Sequence, residues 1–170
     1  MPEHPGFDLR QVNGRSIVRL RVRPDGADTA NAALQLPQAL QWRDGNPAIC
    51  WLGPDQWLFT SDTKTAEDVI RNIDGTLSAQ LHAATDMSSG NVCFALTGPA
   101  GRKVLAMGCG IDLHPGVFKT GQCARTHFAM VPLLIVAVKD NHFDLYLDRS
   151  YARYLGDWFT NAGKDPVTCD

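Results

Sequence analysis

Between Arg15 and Arg23 the chain reads Arg-Ser-Ile-Val-Arg-Leu-Arg-Val-Arg, with apolar side chains at Val18, Leu20 and Val22 and arginines between them. Alternation with period two predicts a strand buried on one face and basic on the other. Pro24-Asp25-Gly26 ends it, and Asp28 or Thr29 is placed to cap a short helix running to about Leu36, before Pro37. Ala48–Leu52 and Gln56–Thr60 read as two strands joined by Gly53-Pro54-Asp55. Thr63 or Thr65 then starts a helix whose Ala66, Val69, Ile70 and Ile73 recur at i, i+3, i+4 and i+7, the spacing of one buried face.

Ala84–Met87 and Val92–Leu96 read as strands around the turn Ser88-Ser89-Gly90-Asn91. Gly98-Pro99 opens a helix with proline in its first turn, where the missing N–H costs nothing. Val104, Leu105 and Met107 are expected to face inward, and Gly108 and Gly110 to stop the helix. A loop over residues 112–121 carries one apolar anchor, Phe118. Three further strands follow, Cys123–Met130, Leu133–Val138 and Phe143–Leu147, with Asp140-Asn141 as the turn between the last two. Ser150 is the expected cap of a final helix, Tyr151–Asn161, with Tyr151, Tyr154, Leu155 and Trp158 on its inward stripe.

Helices therefore interleave with paired strands rather than with single ones. That pattern predicts an α+β fold with mostly antiparallel sheet, not a doubly wound nucleotide fold. Residues 1–14, rich in Pro, Gly and charge, are expected to be a mobile N-terminal arm or extended lead-in, residues 15–162 a single domain and residues 163–170 a frayed tail. Trp51-Leu52-Gly53-Pro54 and Leu96-Thr97-Gly98-Pro99 each set Gly-Pro after a strand, as two similar halves or chance would produce.

Composition narrows the function. The 170 residues are 44% hydrophobic and 20% charged, ordinary values for a globular chain. Sixteen basic and eighteen acidic residues leave a formal charge of −2, which supplies no drive toward nucleic acid or an anionic membrane. The longest apolar run, Ala129–Val138, is interrupted by Pro132 and is too short to span a bilayer. The opening Met-Pro-Glu-His-Pro-Gly lacks the basic-then-apolar order of a secretory signal, so cytoplasmic residence is expected. Five cysteines without a CxxC pair argue against a disulfide framework or a zinc site, and Cys50, Cys93 and Cys123 read as small buried hydrophobes.

Candidate chemistry is sparse. The glycines at 98, 101, 108 and 110 do not form a dinucleotide fingerprint, and no metalloprotease or serine-nucleophile motif is present. Asp112 and His114 have the spacing of a carboxylate that orients an imidazole base, but no third partner is visible, and a loop turn before Pro115 explains them as well. Asp144 and Tyr146 alternate with Phe143, Leu145 and Leu147, so Asp144 is expected to face solvent or an interface. Trp158 and Phe159 lie about 100 degrees apart on a helix and cannot share one narrow stripe. With Arg149 they are the interface candidates, because arginine and aromatics concentrate at binding hot spots. No catalytic or metal-ligating residue is assigned.

Several segments, in the same order over about residues 48–159, resemble those of the gamma subunit family of heterotetrameric sarcosine oxidases. They are Trp51-Leu52-Gly53-Pro54-Asp55-Gln56-Trp57-Leu58, Cys109-Gly110-Ile111-Asp112-Leu113-His114-Pro115 with Phe118, Gly121, Cys123 and Thr126, and Phe143-Asp144-Leu145-Tyr146 with Arg149-Ser150-Tyr151 and Trp158. Asp86-Met87-Ser88-Ser89-Gly90 and Leu96-Thr97-Gly98-Pro99 are shared more loosely with aminomethyltransferases. The resemblance implies a fold like the folate-binding domain of aminomethyltransferases. It implies a non-catalytic subunit that works with alpha-, beta- and delta-type partners in the oxidative demethylation of sarcosine. FAD, covalent FMN, NAD, tetrahydrofolate and zinc are implied for those other chains and no cofactor for this one. Ser89 stands where a histidine is usual and Gly110 where a proline is usual, and the chain is short for the family, which leaves sarcosine and other N-methylated amino acids open as substrate of the complex. The alternative is a free-standing folate-binding protein of the aminomethyltransferase type, with Asp144 as its pterin-holding carboxylate.

Overall fold

The computed structural model describes residues 6–163. They divide into two compact units, residues 14–89 and residues 6–13 with 90–163. Each unit is built on one five-stranded sheet. The single domain expected over 15–162 is thus two units. The expected arm over 1–14 contains strand β1 (Asp8–Val12), whose Leu9 pairs with Leu96 and is buried. The tail from residue 164 onward lies outside the described residues.

In the unit of residues 14–89, β2 (Ser16–Val22) leads through a short 3₁₀ turn at Pro24–Gly26 into α1 (Ala27–Leu34). Neither Asp28 nor Thr29 caps that helix: the turn feeds it directly, with Gly26 at the N-cap and no side-chain bond. Strands β3 (Trp42–Arg43), β4 (Ala48–Gly53) and β5 (Gln56–Ser61) follow, then α2 (Ala66–Thr76) and β6 (His82–Asp86). The order across the sheet is β3-β4-β5-β2-β6, and every pairing is antiparallel. The predicted alternation holds in β2: Val18, Leu20 and Val22 are buried while Arg19 and Arg21 are exposed. These apolar residues pack with Ile49, Trp57 and Phe59 of the sheet and with Val69 and Ile73 of α2. Thr65 caps α2, its Oγ1 accepting the Asp68 N–H at 3.1 Å.

The second unit comprises β1, β7 (Asn91–Thr97), α3 (Gly101–Gly108), β8 (Cys123–Phe128), β9 (Val131–Lys139), β10 (His142–Asp148) and α4 (Ala152–Ala162). Its sheet order, β1-β7-β10-β9-β8, is again antiparallel throughout. Its core gathers Leu9, Phe94, Leu96, Val104, Leu105, Phe128, Ile135, Phe143, Leu145, Leu155 and Phe159.

The two sheets repeat one topology. In each, a first strand (β2, β7) is followed by a helix (α1, α3), three consecutive strands (β3–β5, β8–β10) and a second helix (α2, α4), and the third of those strands pairs back onto the first. A fifth strand closes the far edge, β6 in one unit and β1 in the other. The Gly-Pro echo does not mark this repeat, because Gly53-Pro54 lies in the last hairpin whereas Gly98-Pro99 follows the first strand. The equivalent positions are Pro24 and Pro99 after the first strands, and the hairpin tips, where Asp55 and Asn141 have positive φ of 58° and 57°. Asn and Asp accept this left-handed conformation more readily than other non-glycine residues. β6 and β7, which flank the 88–91 turn, belong to different sheets, so that turn links the units instead of closing a hairpin.

Two glycines are dictated by close approach. Gly98 has φ +108°, and a Cβ there would lie 2.6 Å from the Gly6 carbonyl oxygen and 2.8 Å from Phe7 Cα. A Cβ on Gly108 would lie 2.6 Å from the Phe128 ring. Gly108 ends α3 as expected, but Met107 is exposed at 57% rather than inward-facing.

The last helix is rotated from the expected stripe. Leu155, Phe159 and Ala162 are its buried residues, whereas Tyr151 and Tyr154 are exposed and Trp158 is half-buried. Its entry is capped by Asp148, whose Oδ1 accepts the Ser150 N–H at 2.8 Å, and not by Ser150 itself. Arg149–Tyr151 forms a 3₁₀ turn before α4 begins.

Candidate functional site

The Asp112–His114 loop is a self-contained turn. Asp112 Oδ1 accepts the backbone N–H of His114 at 2.8 Å, and His114 Nδ1 accepts the Gly116 N–H at 3.1 Å. The carboxylate serves the backbone rather than the imidazole, and both side chains are exposed. The loop is held from below by Arg102 of α3, whose Nη1 donates to the carbonyls of Leu113 and Phe118, the latter at 2.9 Å. The same guanidinium lies 4.9 Å above the Phe143 ring centroid. Burial lowers the Arg102 pKa, and the charge of Asp140 acts in the opposite sense. Arg102, Lys103 and His114 line a shallow cleft of about 370 Å³ with Pro99, Leu113 and Pro115. Arg102 had no signal in the sequence, because its partners are main-chain carbonyls eleven and sixteen residues away.

Asp144 departs from expectation. It is buried at 8% exposure, as is Tyr146 at 5%. Alternation correctly sets the two opposite Phe143, Leu145 and Leu147, but this reverse face is covered too: Cys93, Leu134, Val136 and Cys123 are all buried. The Asp144 carboxylate accepts from the Tyr146 hydroxyl at 3.4 Å and lies 3.3 Å from His142 Nε2. Asp144 is therefore a buried carboxylate within a polar cluster on β10 and not a surface residue.

The interface candidates separate. Phe159 is 1% exposed, stacked on Phe128 at 5.1 Å and 8° and edge-on to Phe7 at 6.0 Å. A side chain so enclosed presents no surface to a partner. Trp158 is half-buried, packed edge-on against Phe128 at 4.5 Å. Arg149 is exposed, and its Nη2 donates to the Asn91 carbonyl at 3.4 Å while its own N–H is held by Gly90 at 2.8 Å.

The polar groups of the other unit are likewise engaged in holding the fold. Arg15 donates two bonds to Asp62, at 2.6 and 3.0 Å, and this lowers the Asp62 pKa. In Asp86-Met87-Ser88, the Asp86 carboxylate accepts both the N–H and the hydroxyl of Ser88, at 2.8 and 2.6 Å, and Ser88 Oγ accepts the Ile17 N–H at 2.9 Å. Arg15, Asp62, Asp86 and Ser88 line a cleft of about 460 Å³ with Lys64 and Thr65. His82 bridges β6 to α2: its Nδ1 lies 2.9 Å from the Gln80 carbonyl and its Nε2 2.9 Å from Asp74. Among the described residues no three His, Cys, Asp or Glu side chains converge to hold a metal. None of the helices described is long and apolar enough to cross a membrane.

Residues 23–165 match the model of the sarcosine oxidase gamma subunit family. The chain is 28% identical over 163 residues to a sarcosine oxidase subunit gamma of Corynebacterium sp. (strain U-96), covering 91% of this chain and 78% of that one. It is 25% identical over 161 residues to the subunit gamma of Corynebacterium sp. (strain P-1), with the same coverage. Among solved structures, a chain of the heterotetrameric sarcosine oxidase from Corynebacterium sp. U-96 superposes with a TM-score of 0.85 at 24% identity, covering all of this chain and 90% of that one. Aminomethyltransferase T of the glycine cleavage system from Bartonella henselae superposes at 0.67 and 15% identity, over 90% of this chain and 45% of that one. Both superpositions establish the fold: an α+β architecture shared with aminomethyltransferases.

Proposed function

Because this chain belongs to the sarcosine oxidase gamma subunit family, we propose that it is the non-catalytic gamma-type subunit of a heterotetrameric, flavin-dependent complex. That complex oxidatively demethylates sarcosine or a related N-methyl amino acid, together with alpha-, beta- and delta-type chains. The observation that carries this reading is the family match over residues 23–165, which spans both structural units. The local chemistry agrees with it. Asp112, whose spacing in the sequence would let it orient His114, spends its hydrogen bond on a backbone N–H.

In this reading FAD, FMN, NAD, tetrahydrofolate and zinc reside in the partner chains, and this chain contributes folded surface. We place it in the cytoplasm. Cys50, Cys93 and Cys123 are held as buried thiols rather than disulfides, which suits a reducing compartment. The test is co-expression with the partner chains. Tagged on this subunit, the preparation should retain flavin-bearing chains at equal stoichiometry and oxidise sarcosine or another N-methyl amino acid. If the remaining chains assemble and turn over equally well when this one is omitted, the proposal fails.

A further inference from the structure

The arginine row that alternation predicts on β2 takes no part in holding the fold. Arg19 and Arg21 are exposed, and among the described residues neither makes an ion pair, whereas Arg15 before them bonds Asp62 and Arg23 after them pairs with Asp25 at 3.3 Å. The antiparallel register fixes their surroundings. Arg19 stands between Leu58 of β5 and Thr85 of β6, and Arg21 between Gln56 and Ala83, and none of the four is a carboxylate. Residues paired across a sheet share a face, so Ala83 and Thr85 lie on the arginine side, and both are exposed. The Arg23 N–H donates to the Leu81 carbonyl at 3.0 Å, which carries the pairing one step further and sets Leu81, 68% exposed, at the end of the same face. β6 is the edge of its sheet, so no strand of that sheet stands beyond it.

The carboxylates of this unit are engaged elsewhere. Glu67, Asp68 and Asp74 belong to α2, which packs on the opposite face of β2, and they bond Arg71 and His82. Asp86 stands opposite Val18, on that same buried side, and accepts both bonds of Ser88. Asp55 lines a cleft with Trp51 and Trp57. Guarding the sheet against edge pairing does not account for the arginines either. Such charges sit on the edge strand itself, and β6 carries neither Lys nor Arg. Arg19 and Arg21 are thus two uncompensated guanidiniums, roughly 7 Å apart along the strand, beside one exposed apolar side chain.

Charge decides what meets this face. Guanidinium binds carboxylate in a planar, two-bonded geometry, and arginine is enriched at binding hot spots. A second copy docked through a two-fold axis would set the arginines against themselves. The net charge of −2 supplies no wider positive field for nucleic acid. An acidic protein segment with an apolar residue for Leu81 complements the face.

We propose that the β2–β6 face bearing Arg19, Arg21 and Leu81 is the surface through which this subunit docks onto an acidic segment of a larger chain of the complex. The proposal rests on the subunit reading above. The experiment measures binding of the purified full chain to the complex lacking it. The variants are the charge reversal Arg19→Glu with Arg21→Glu, the neutral pair Arg19→Gln with Arg21→Gln, and Leu81→Ser. The control pair Arg10→Glu with Arg153→Glu changes net charge equally at positions of the other unit whose side chains are 78% and 94% exposed. The neutral pair and Leu81→Ser should keep the wild-type melting temperature, since their side chains lie in solvent. The reversal should lose about tenfold or more in affinity and the neutral pair and Leu81→Ser several-fold, while the control binds as wild type. Raising the salt concentration should weaken wild-type binding more steeply than that of the neutral pair. Wild-type affinity in both arginine pairs, or an equal loss in the control, overturns the face and leaves the subunit reading intact. A wild-type chain that binds none of the other subunits overturns both. Loss of self-association alone in the arginine variants overturns the choice of a larger chain as occupant.

Discussion

Phe159→Ala gives the sharpest test of the fold around α4, because helix-wheel reasoning and tertiary structure assign that residue opposite roles. The ring is 1% exposed, stacked on Phe128 and edge-on to Phe7 and Trp158, the last at 5.4 Å. Truncating a buried phenylalanine to alanine costs about 3–5 kcal/mol, from lost transfer energy plus the cavity left behind. Three aromatic neighbours, each contributing roughly 0.5–1.5 kcal/mol beyond area burial, place this site near the upper end of that range. For a chain of this size about 4 kcal/mol corresponds to a fall of roughly 8–16 °C in melting temperature. Scanning calorimetry on the isolated wild-type and variant chains measures it directly. Phe159→Leu, which keeps most of the volume, should recover much of the loss. The variant should also associate with partner chains normally at temperatures where it is folded. A variant that melts with wild type while failing to bind would show that Phe159 is a surface anchor, and the packing described for Phe128 and Phe7 would be refuted.

Gly98→Ala should be destabilising by about 2 kcal/mol or more, since φ +108° and a 2.6 Å approach to the Gly6 carbonyl leave no room for a methyl group; an unchanged urea midpoint would contradict the placement of residues 6 and 7 beside it. His82 should make stability pH-dependent. Burial works against its charged form, but hydrogen bonds to the Gln80 carbonyl and Asp74 outweigh this and raise its pKa above 6.5. The extra stability of wild type over His82→Gln is therefore full below the ordinary histidine pKa and disappears as pH rises through the raised value; urea titrations from acid to alkaline pH that show a constant difference would rule out the bridge. Asp112→Ala and His114→Ala should leave turnover of the assembled complex within a few-fold of wild type, whereas loss of a general base costs about 100-fold or more. Calorimetry of the isolated chain with a reduced folate should show no tight binding, and a micromolar constant abolished by Asp144→Asn would instead support the folate-binding alternative.

Much of the architecture is legible in local pattern, and the failures share one cause. The alternation in β2 depends on neighbours a few residues away, so sequence alone places it, and the start of α2 is narrowed to Thr63 or Thr65, of which the structure uses Thr65. The same holds for the turn before Asn141 and the Gly108 stop. Segment likeness likewise identifies the family before any coordinate is known. β1 carries no local signal, because five residues with one buried leucine acquire meaning only when β7 lies alongside. The burial of Asp144 is not legible locally, because alternation tells which residues share a face but not whether that face is covered.

The last helix shows the division most clearly. By itself the sequence determined that residues near 151–161 form a helix with an aromatic-rich arc, since spacing and caps are local properties. Two adjacent apolar arcs were available, Tyr151-Tyr154-Trp158 and Leu155-Phe159-Ala162, and nothing within the helix ranks them. Only the tertiary structure decided between them. Phe128 and Phe7, distant in sequence, offer ring faces that Phe159 fills and Tyr154 cannot, and turning the helix onto them leaves Tyr151 and Tyr154 outside.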